Sequence, residues 1–382
     1  MQTEWVFEKV RVRRTQLLIL LFAWLGIQTL LYIHYGVQPI LESLKYINAG
    51  KYLLTNGHLP ELRYYFYLTT TLLITFCLKT GLGFTGVVLF QLGINAWAAF
   101  RFYQALSVIQ TKSYSALLTT LFLICCIPYQ TWNFYLYTES LFYSFTLLFF
   151  AQCIQTKQLS FTTVILQTLF LLLVILSRPL GILFLPCWIV YLIAKSGKQM
   201  QLLLIVASVV SVLAFFFISN LILGNISDWG ILTSAENNEI ICDVPVGSKL
   251  NLETLKSKPP LAQLYLYITT HPLHFFQLAF KRLYYFFVLA RPYYTAFHNL
   301  FLYLIDLALY VPVLLSLPFA WKRHTNTTAL FSVSIIAIFC TAICLQCDDY
   351  HNRFHHAIIP VFLYCGLYGL FEKITSQKIT IK

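Results

Sequence analysis

RYYFYLTTTLLITFCLKT, residues 63–80, decides how the chain is threaded. The stretch looks apolar, yet Arg63, Lys79 and the threonines at 69, 70 and 71 all fall within about one membrane thickness. Counting it as a crossing inverts every element that follows. The next apolar runs are 84–108, 114–128, 140–156, 160–177, 180–195 and 201–223. If 63–80 only dips into the outer half of the bilayer, Lys112, Lys157, Lys195 and Lys198 share a side with the N-terminal cluster of Lys9, Arg11, Arg13 and Arg14. That parity keeps the short basic connections cytoplasmic, so 63–80 reads as a half-buried or re-entrant helix.

Composition gives the class. With 59% hydrophobic and 10% charged residues, most of the 382 positions cannot face water, which describes a polytopic membrane protein. Lys and Arg outnumber Asp and Glu, 26 to 14, but they are scattered singly between apolar runs and form no basic face, which excludes nucleic acid as a partner. The first run, 15–34, lacks a small-residue cleavage site and reads as an uncleaved span running outward from a cytoplasmic N-terminus. The expected architecture is all-α: a polytopic membrane helical bundle of about ten spans with interfacial or re-entrant helices. It forms one membrane-embedded domain over 1–382, with an outer loop at 35–83 and an outer segment at 224–298. Runs 299–320, 327–346 and 355–371 then return the C-terminus to the cytoplasm.

The outer segment has two characters. Its first part is polar and carries Asp228, Glu236, Glu239, Asp243 and Glu253; its second, HPLHFFQLAFKRLYYFFVLARPYYTAFHN at 271–299, mixes aromatic and basic residues as interfacial helices do. The ten cysteines lie almost all in apolar runs and read as small packing residues. Cys340, Cys344 and Cys347 have helical spacing, but no His or second Cys pair completes a metal site, and only Cys242 lies in a polar loop. No disulfide framework follows from that arrangement.

The outer loop holds ESLKYINAGKYLLTNGHLP, 42–60, a short amphipathic helix ended by Asn56-Gly57. Leu44, Ile47 and Leu54 fall near one side, with Glu42, Lys45, Tyr46 and Ala49 on another. A carboxylate at the mouth of a span is costly unless water, a partner or a ligand meets it, so Glu42 is a functional candidate; the competing reading is a helix cap. Four further stretches return ionisable groups to the same face. They bring Glu139 in TWNFYLYTESLF, Arg178 in SRPLGILFLP, Arg291 in LARPYYTAFHN, and Asp348, Asp349, His351 and Arg353 in CDDYHNRFHHAIIP. Arginine forks a phosphate and a carboxylate takes a proton from an acceptor, so the set suits transfer from a lipid-phosphate donor. Read separately, Arg178 is a snorkelling span end, Glu139 a cap and Asp348-Asp349 a solvated turn. Arg353 enters an apolar run flanked by His351, His355 and His356, which favours function.

These stretches resemble the GT-C superfamily of integral membrane glycosyltransferases, in particular bacterial relatives of protein O-mannosyltransferases and aminoarabinose transferases. Members place an acid after the first span, followed by a Tyr, a small residue and a Gly-Pro-containing stretch; Glu42, Tyr46, Ala49 and the run from Gly57 to Pro60 stand there. Glu139 resembles the second acid, 178–181 the Arg-Pro-Leu-Gly step, and 353–360 the late Arg-aromatic segment ending in Pro. The stretch from His271-Pro272 to Arg291-Pro292 is similar to the family's outer helices. The resemblance implies a polyprenyl-phosphate sugar donor and an inverting displacement at the outer face of a bacterial inner membrane. Glu42 would be the general base, Arg353, Arg291 and Arg178 would bind the donor phosphate, and Glu139, Asp348, Asp349 and His351 would position the acceptor or a divalent metal. Some relatives bind such a metal and others do not. Glu42 departs from the Asp usual there, lengthening the arm that carries the carboxylate.

Two rival readings remain. A lipid or solute transporter predicts ionisable groups at mid-membrane depth and paired broken helices in two halves, whereas only Asp306 lies clearly within a run and no second half mirrors the first. A non-catalytic GT-C-like subunit of an envelope assembly system would keep the fold without activity. A transfer assay separates it from an enzyme.

Overall fold

The computed structural model describes residues 2–109, 113–198, 201, 202, 205, 231–242, 244–246, 249–322, 327–348 and 350–370. Among them it is all-helical, with only two isolated bridges, Gln38 to Tyr135 and Ile241 to Asp348. Among the described residues four helices are long and apolar enough to cross a membrane: Arg13–Tyr35, Gly83–Ile109, Ala296–Ser316 and Thr327–Leu345. A bent pair, Tyr114–Cys125 with Ile127–Phe134 at 65°, makes a fifth if it is one broken span. Phe161–Ile175 and Pro179–Lys195 are apolar but shorter. The expected run 201–223 lies almost wholly outside the described residues, as do Asp243 and the C-terminal residues 371–382.

Packing divides the chain into two compact units interleaved along the sequence. The first comprises Met1–Leu185, Leu309–Thr328 and Ile359–Lys382. It opens with α1 (Gln2–Tyr35), α2 (Ser43–Asn56), α3 (Leu68–Lys79) and α4 (Gly83–Ile109). Then come α5 (Ser113–Cys125), the single turn α6 (Ile127–Gln130), α7 (Glu139–Gln155) and α8 (Phe161–Ile175).

Hydrogen bonds along α1 and α4 fix their relative direction. Tyr103 donates to Gln16 Oε1 at 2.6 Å and Trp24 Nε1 to Asn95 Oδ1 at 2.9 Å, so α4 numbers fall as α1 numbers rise and the two helices run antiparallel. The chain between them therefore leaves and returns at one end. With 12 residues α3 rises only about 18 Å, against about 30 Å of hydrocarbon, and it docks on α2 where Thr75 Oγ1 donates to the Gly50 carbonyl at 3.1 Å. The half-buried reading of 63–80 agrees with this geometry.

One face of α2 packs into the unit and the other does not. Ser43, Tyr46, Ile47, Ala49 and Gly50 are buried, while Leu44 and Leu54 are exposed. In a chain surrounded by lipid the apolar edge of an interfacial helix turns outward, and the small residues let backbones approach. Gly50 is such a contact, because a Cβ there would meet Ile74 Cγ2 at 3.0 Å. Gly57 ends α2 in the left-handed region at φ 74°, its N–H returning to Leu53 O.

At the centre of this unit lies α7, buried at every residue from Glu139 to Ile154 and packed against α4 and α8. Side-chain amides tie its start to α1. Gln28 Nε2 donates to Gln130 Oε1 at 2.9 Å, Asn133 Nδ2 to Gln28 Oε1 at 3.3 Å, and Ser140 Oγ to Asn133 Oδ1 at 2.7 Å, all buried.

The second unit comprises Pro186–Ala308 and Ala329–Ile358. It holds most of α9 (Phe184–Lys195), then α10 (Ile231–Glu236), α11 (Pro260–Thr270), α12 (Pro272–Phe287), the first part of α13 (Ala296–Lys322), most of α14 (Thr327–Leu345) and the start of α15 (Arg353–Leu363). Its outer segment has a small apolar core of its own, in which Leu232, Ala235, Leu252, Tyr267 and Leu278 meet. On α12 the opposite side carries exposed Leu273, Phe276, Phe280 and Tyr284, the two-faced pattern expected of an interfacial helix.

One cysteine reading is corrected. Cys347, taken as a packing residue, forms a disulfide with Cys242 across 105 residues of sequence. Such a pairing depends on the tertiary fold, and local spacing cannot reveal it.

Candidate active site

Four distant stretches of the first unit meet at one level. Gln38 pairs with the 134–136 backbone, its N–H donating to Phe134 O at 2.8 Å and its carbonyl accepting from Leu136 N at 3.3 Å. Gln91 Nε2 reaches the carbonyls of Tyr135 and Tyr137 from α4. At the start of α3, Thr69 N donates to Leu176 O at 3.2 Å and Thr69 Oγ1 lies 2.8 Å from Ser177 Oγ. The mouths of α1, α3, α7 and α8 are thereby held together, and they carry Glu42, Tyr46, Glu139 and Arg178.

Glu42 precedes α2 and is half-buried. Its backbone N–H donates to the Tyr137 hydroxyl at 3.3 Å, and its Oε1 accepts the Tyr46 phenol at 2.6 Å. Burial first, then the charges of Glu42 and Glu139, raise the Tyr46 phenol well above its usual value, so it stays protonated and donating. Just before Glu42, Leu41 sits at φ 52°, a left-handed conformation costing a residue with a Cβ about 1–2 kcal/mol. Strain of this kind persists where the surroundings impose it and gathers at functional sites.

Glu139 is fully buried and ion-paired with Arg178, whose side chain is also buried; Thr138 Oγ1 donates to Glu139 Oε2 at 3.4 Å. Arg178 is directed to this carboxylate by the turn Pro179–Leu183. Gly181 lets that turn press on α8, since a Cβ there would lie 2.4 Å from Val174 O. The guanidinium placed at the donor phosphate from the sequence thus has a carboxylate partner, and the acid whose competing reading was a cap is the first residue of α7, after Thr138 at the N-cap position.

In the second unit Arg291 is buried and joins Asp348 to Asn352. It donates to Asp348 Oδ2 at 3.4 Å, to Asn352 Oδ1 and to the carbonyls of Val288 and Ala290. Asn352 Nδ2 in turn donates to Leu289 O at 2.9 Å. His351 and Asn352 both adopt positive φ, 61° and 57°. The His351 ring stacks on Tyr294 with Nδ1 3.1 Å from its hydroxyl, and Arg353, also buried, begins α15. Asp349 lies outside the described residues. Asp306, the acid expected within a span, is buried and accepts the Leu289 N–H at 3.0 Å.

Tyr137, Leu41, Asn352 and Tyr294 escaped the sequence reading. Tyr137 stands two residues before Glu139 and was the nearest to being visible. Among the described residues no three His, Cys, Asp or Glu side chains form a group able to hold a metal ion, and the buried acids Glu139 and Asp348 each face a guanidinium. No step is therefore routed through a metal.

Helices of spanning length together with two buried clusters of acid and arginine define the class: an all-helical membrane-type protein with candidate polar sites. No protein family, curated protein or solved structure matches the chain.

Proposed function

We propose that the chain is an inverting GT-C-type membrane glycosyltransferase of about ten spans. It would move a sugar from a polyprenyl-phosphate donor to an acceptor hydroxyl at the outer, periplasmic face of a bacterial inner membrane. The observation that carries this reading is the gathering of Glu42, Tyr46, Glu139 and Arg178 from three remote stretches onto one level of the first unit.

Glu42 is the general base. It takes the acceptor proton as the acceptor oxygen attacks the anomeric carbon, and the bond from that carbon to the phosphate oxygen breaks with inversion. Tyr46 and Tyr137 orient its carboxylate and backbone. A guanidinium is the cation that the departing phosphate calls for. Glu139 and Arg178 neutralise one another beneath the acceptor.

The test is transfer of labelled sugar from polyprenyl phosphate in membranes holding wild type or Glu42→Gln. Loss of transfer by the folded variant is expected, and full retained activity would remove Glu42 from the mechanism.

A further inference from the structure

We propose that the Cys242–Cys347 disulfide is a thiol–disulfide exchange site through which the redox state of the outer compartment sets the order of the turn Tyr350–Asn352. The inference stands apart from sugar transfer. It rests on what the cross-link holds.

Residues 240–242 and 348 form a short parallel pairing in which Asp348 N donates to Ile240 O at 2.8 Å and Cys242 N to Asp348 O at 2.9 Å. Both backbone groups of Asp348 are thus engaged by the outer segment, and the disulfide bonds its neighbour Cys347 to the same strand covalently. From that anchored residue the carboxylate accepts Arg291, Arg291 donates to Asn352, and His351 and Asn352 hold left-handed conformations. Two adjacent non-glycine residues keep such angles only where the surroundings over-determine them. Covalent closure of a 105-residue separation is the strongest of those restraints.

The link is placed for exchange as well as for support. Cys242 is half-buried, whereas Cys347 is 7% exposed, so an incoming thiolate meets the Cys242 sulfur first. Attack there forms a mixed disulfide and releases Cys347 as a thiolate that takes up a proton. The second thiol of the reductant then displaces Cys242 and leaves as a disulfide. Two electrons and two protons pass from a dithiol to the cysteine pair, and an oxidised partner of the same class reverses the reaction. Reduction loosens the outer segment without detaching it, because Arg282 still donates to Glu239 O, Ser234 Oγ and Cys344 O.

The experiment uses the full chain in lipid nanodiscs, with dithiothreitol as the dithiol. Peptide mapping after alkylation should find Cys242 and Cys347 blocked before reduction and modified together after it. Amide exchange over 346–354 should then rise at least tenfold and fall again on reoxidation with the cyclic disulfide of dithiothreitol. Cys242→Ser should show the fast exchange with no response to dithiothreitol, and Cys344→Ser should behave as wild type. If Cys242→Ser does not fold, the reversible titration of the wild-type chain still decides. Alkylation of Cys242 and Cys347 without reductant, or opening of the bond with unchanged exchange, would overturn the proposal. So would protection from a membrane-impermeant phosphine applied to the outer face of intact cells.

Discussion

The Tyr46 phenol donates to Glu42 Oε1 at 2.6 Å from the next turn of chain, placing an uncharged donor on the one acid of the first-unit site that is half-buried. A hydrogen bond to a charged acceptor contributes about 1.5–3 kcal/mol when both partners are ordered. Tyr46→Phe should therefore lower kcat/KM for transfer at least roughly tenfold while leaving the donor KM unchanged. Because the lost donor favoured the ionised carboxylate, the acid limb of the pH–rate profile should move to higher pH. An unaltered profile would make Tyr46 a packing residue.

The buried pair of Glu139 and Arg178 makes a prediction about stability. Removing one partner leaves an uncompensated charge, at a cost of about 3–5 kcal/mol. Glu139→Gln and Arg178→Met should each lower the midpoint of unfolding in detergent, and the double variant should recover most of the loss. Additive losses would mean the two side chains are held independently.

Leu41 tests whether the strain before Glu42 is real. Its side chain is 75% exposed, so Leu41→Gly removes little packing while relieving the left-handed conformation. Set against the larger chain entropy of glycine, a net stabilisation of about 0.5–1 kcal/mol is expected by thermal unfolding. A clear destabilisation would show that the leucine side chain holds the turn.

His274 gives the outer segment a pH dependence. Its Nδ1 lies 2.7 Å from the Tyr267 hydroxyl and its Nε2 2.7 Å from Asn238 Oδ1, an arrangement that a neutral ring satisfies. Burial first, then His271, Arg282 and Lys281, lowers its pKa below the ordinary 6.5. Between the folded value and 6.5 the unfolded segment binds more protons, so this contribution is complete above 6.5 and is lost as pH falls through that window. Amide exchange over 236–242 and 264–268, corrected for intrinsic rates, should be several-fold faster at pH 5.5 than at pH 7.5. His274→Gln should flatten the difference.

Some of this molecule was legible in the residues and some was not, for physical reasons. Basic connections and three threonines set 63–80 apart from the longer apolar runs, and the segment holds only a 12-residue helix, Leu68–Lys79. Asn56-Gly57 marked the end of α2 through its left-handed glycine. The partner of Glu139 was invisible: Thr138 and Pro179 are the local context of the acid and of Arg178, and neither carries information about a contact 39 residues away. Which side of α2 is buried was not legible, for exposed Leu44 and Leu54 share a side with buried Ile47, and in a lipid-facing protein apolar no longer means inside. The boundary between the two units falls inside α13, at Leu309, where composition does not change.

The amides that join α1 to the start of α7 bear on how the chain is made. Gln28 emerges from the ribosome and enters the bilayer about a hundred residues before Gln130 and Asn133 are synthesised. During that interval an amide that ends up fully mated rides in hydrocarbon with no intramolecular mate, a situation that favours a polar neighbour in the insertion machinery. The first helix is thus more than an anchor: its polar surface is completed only by a loop made about a hundred residues later.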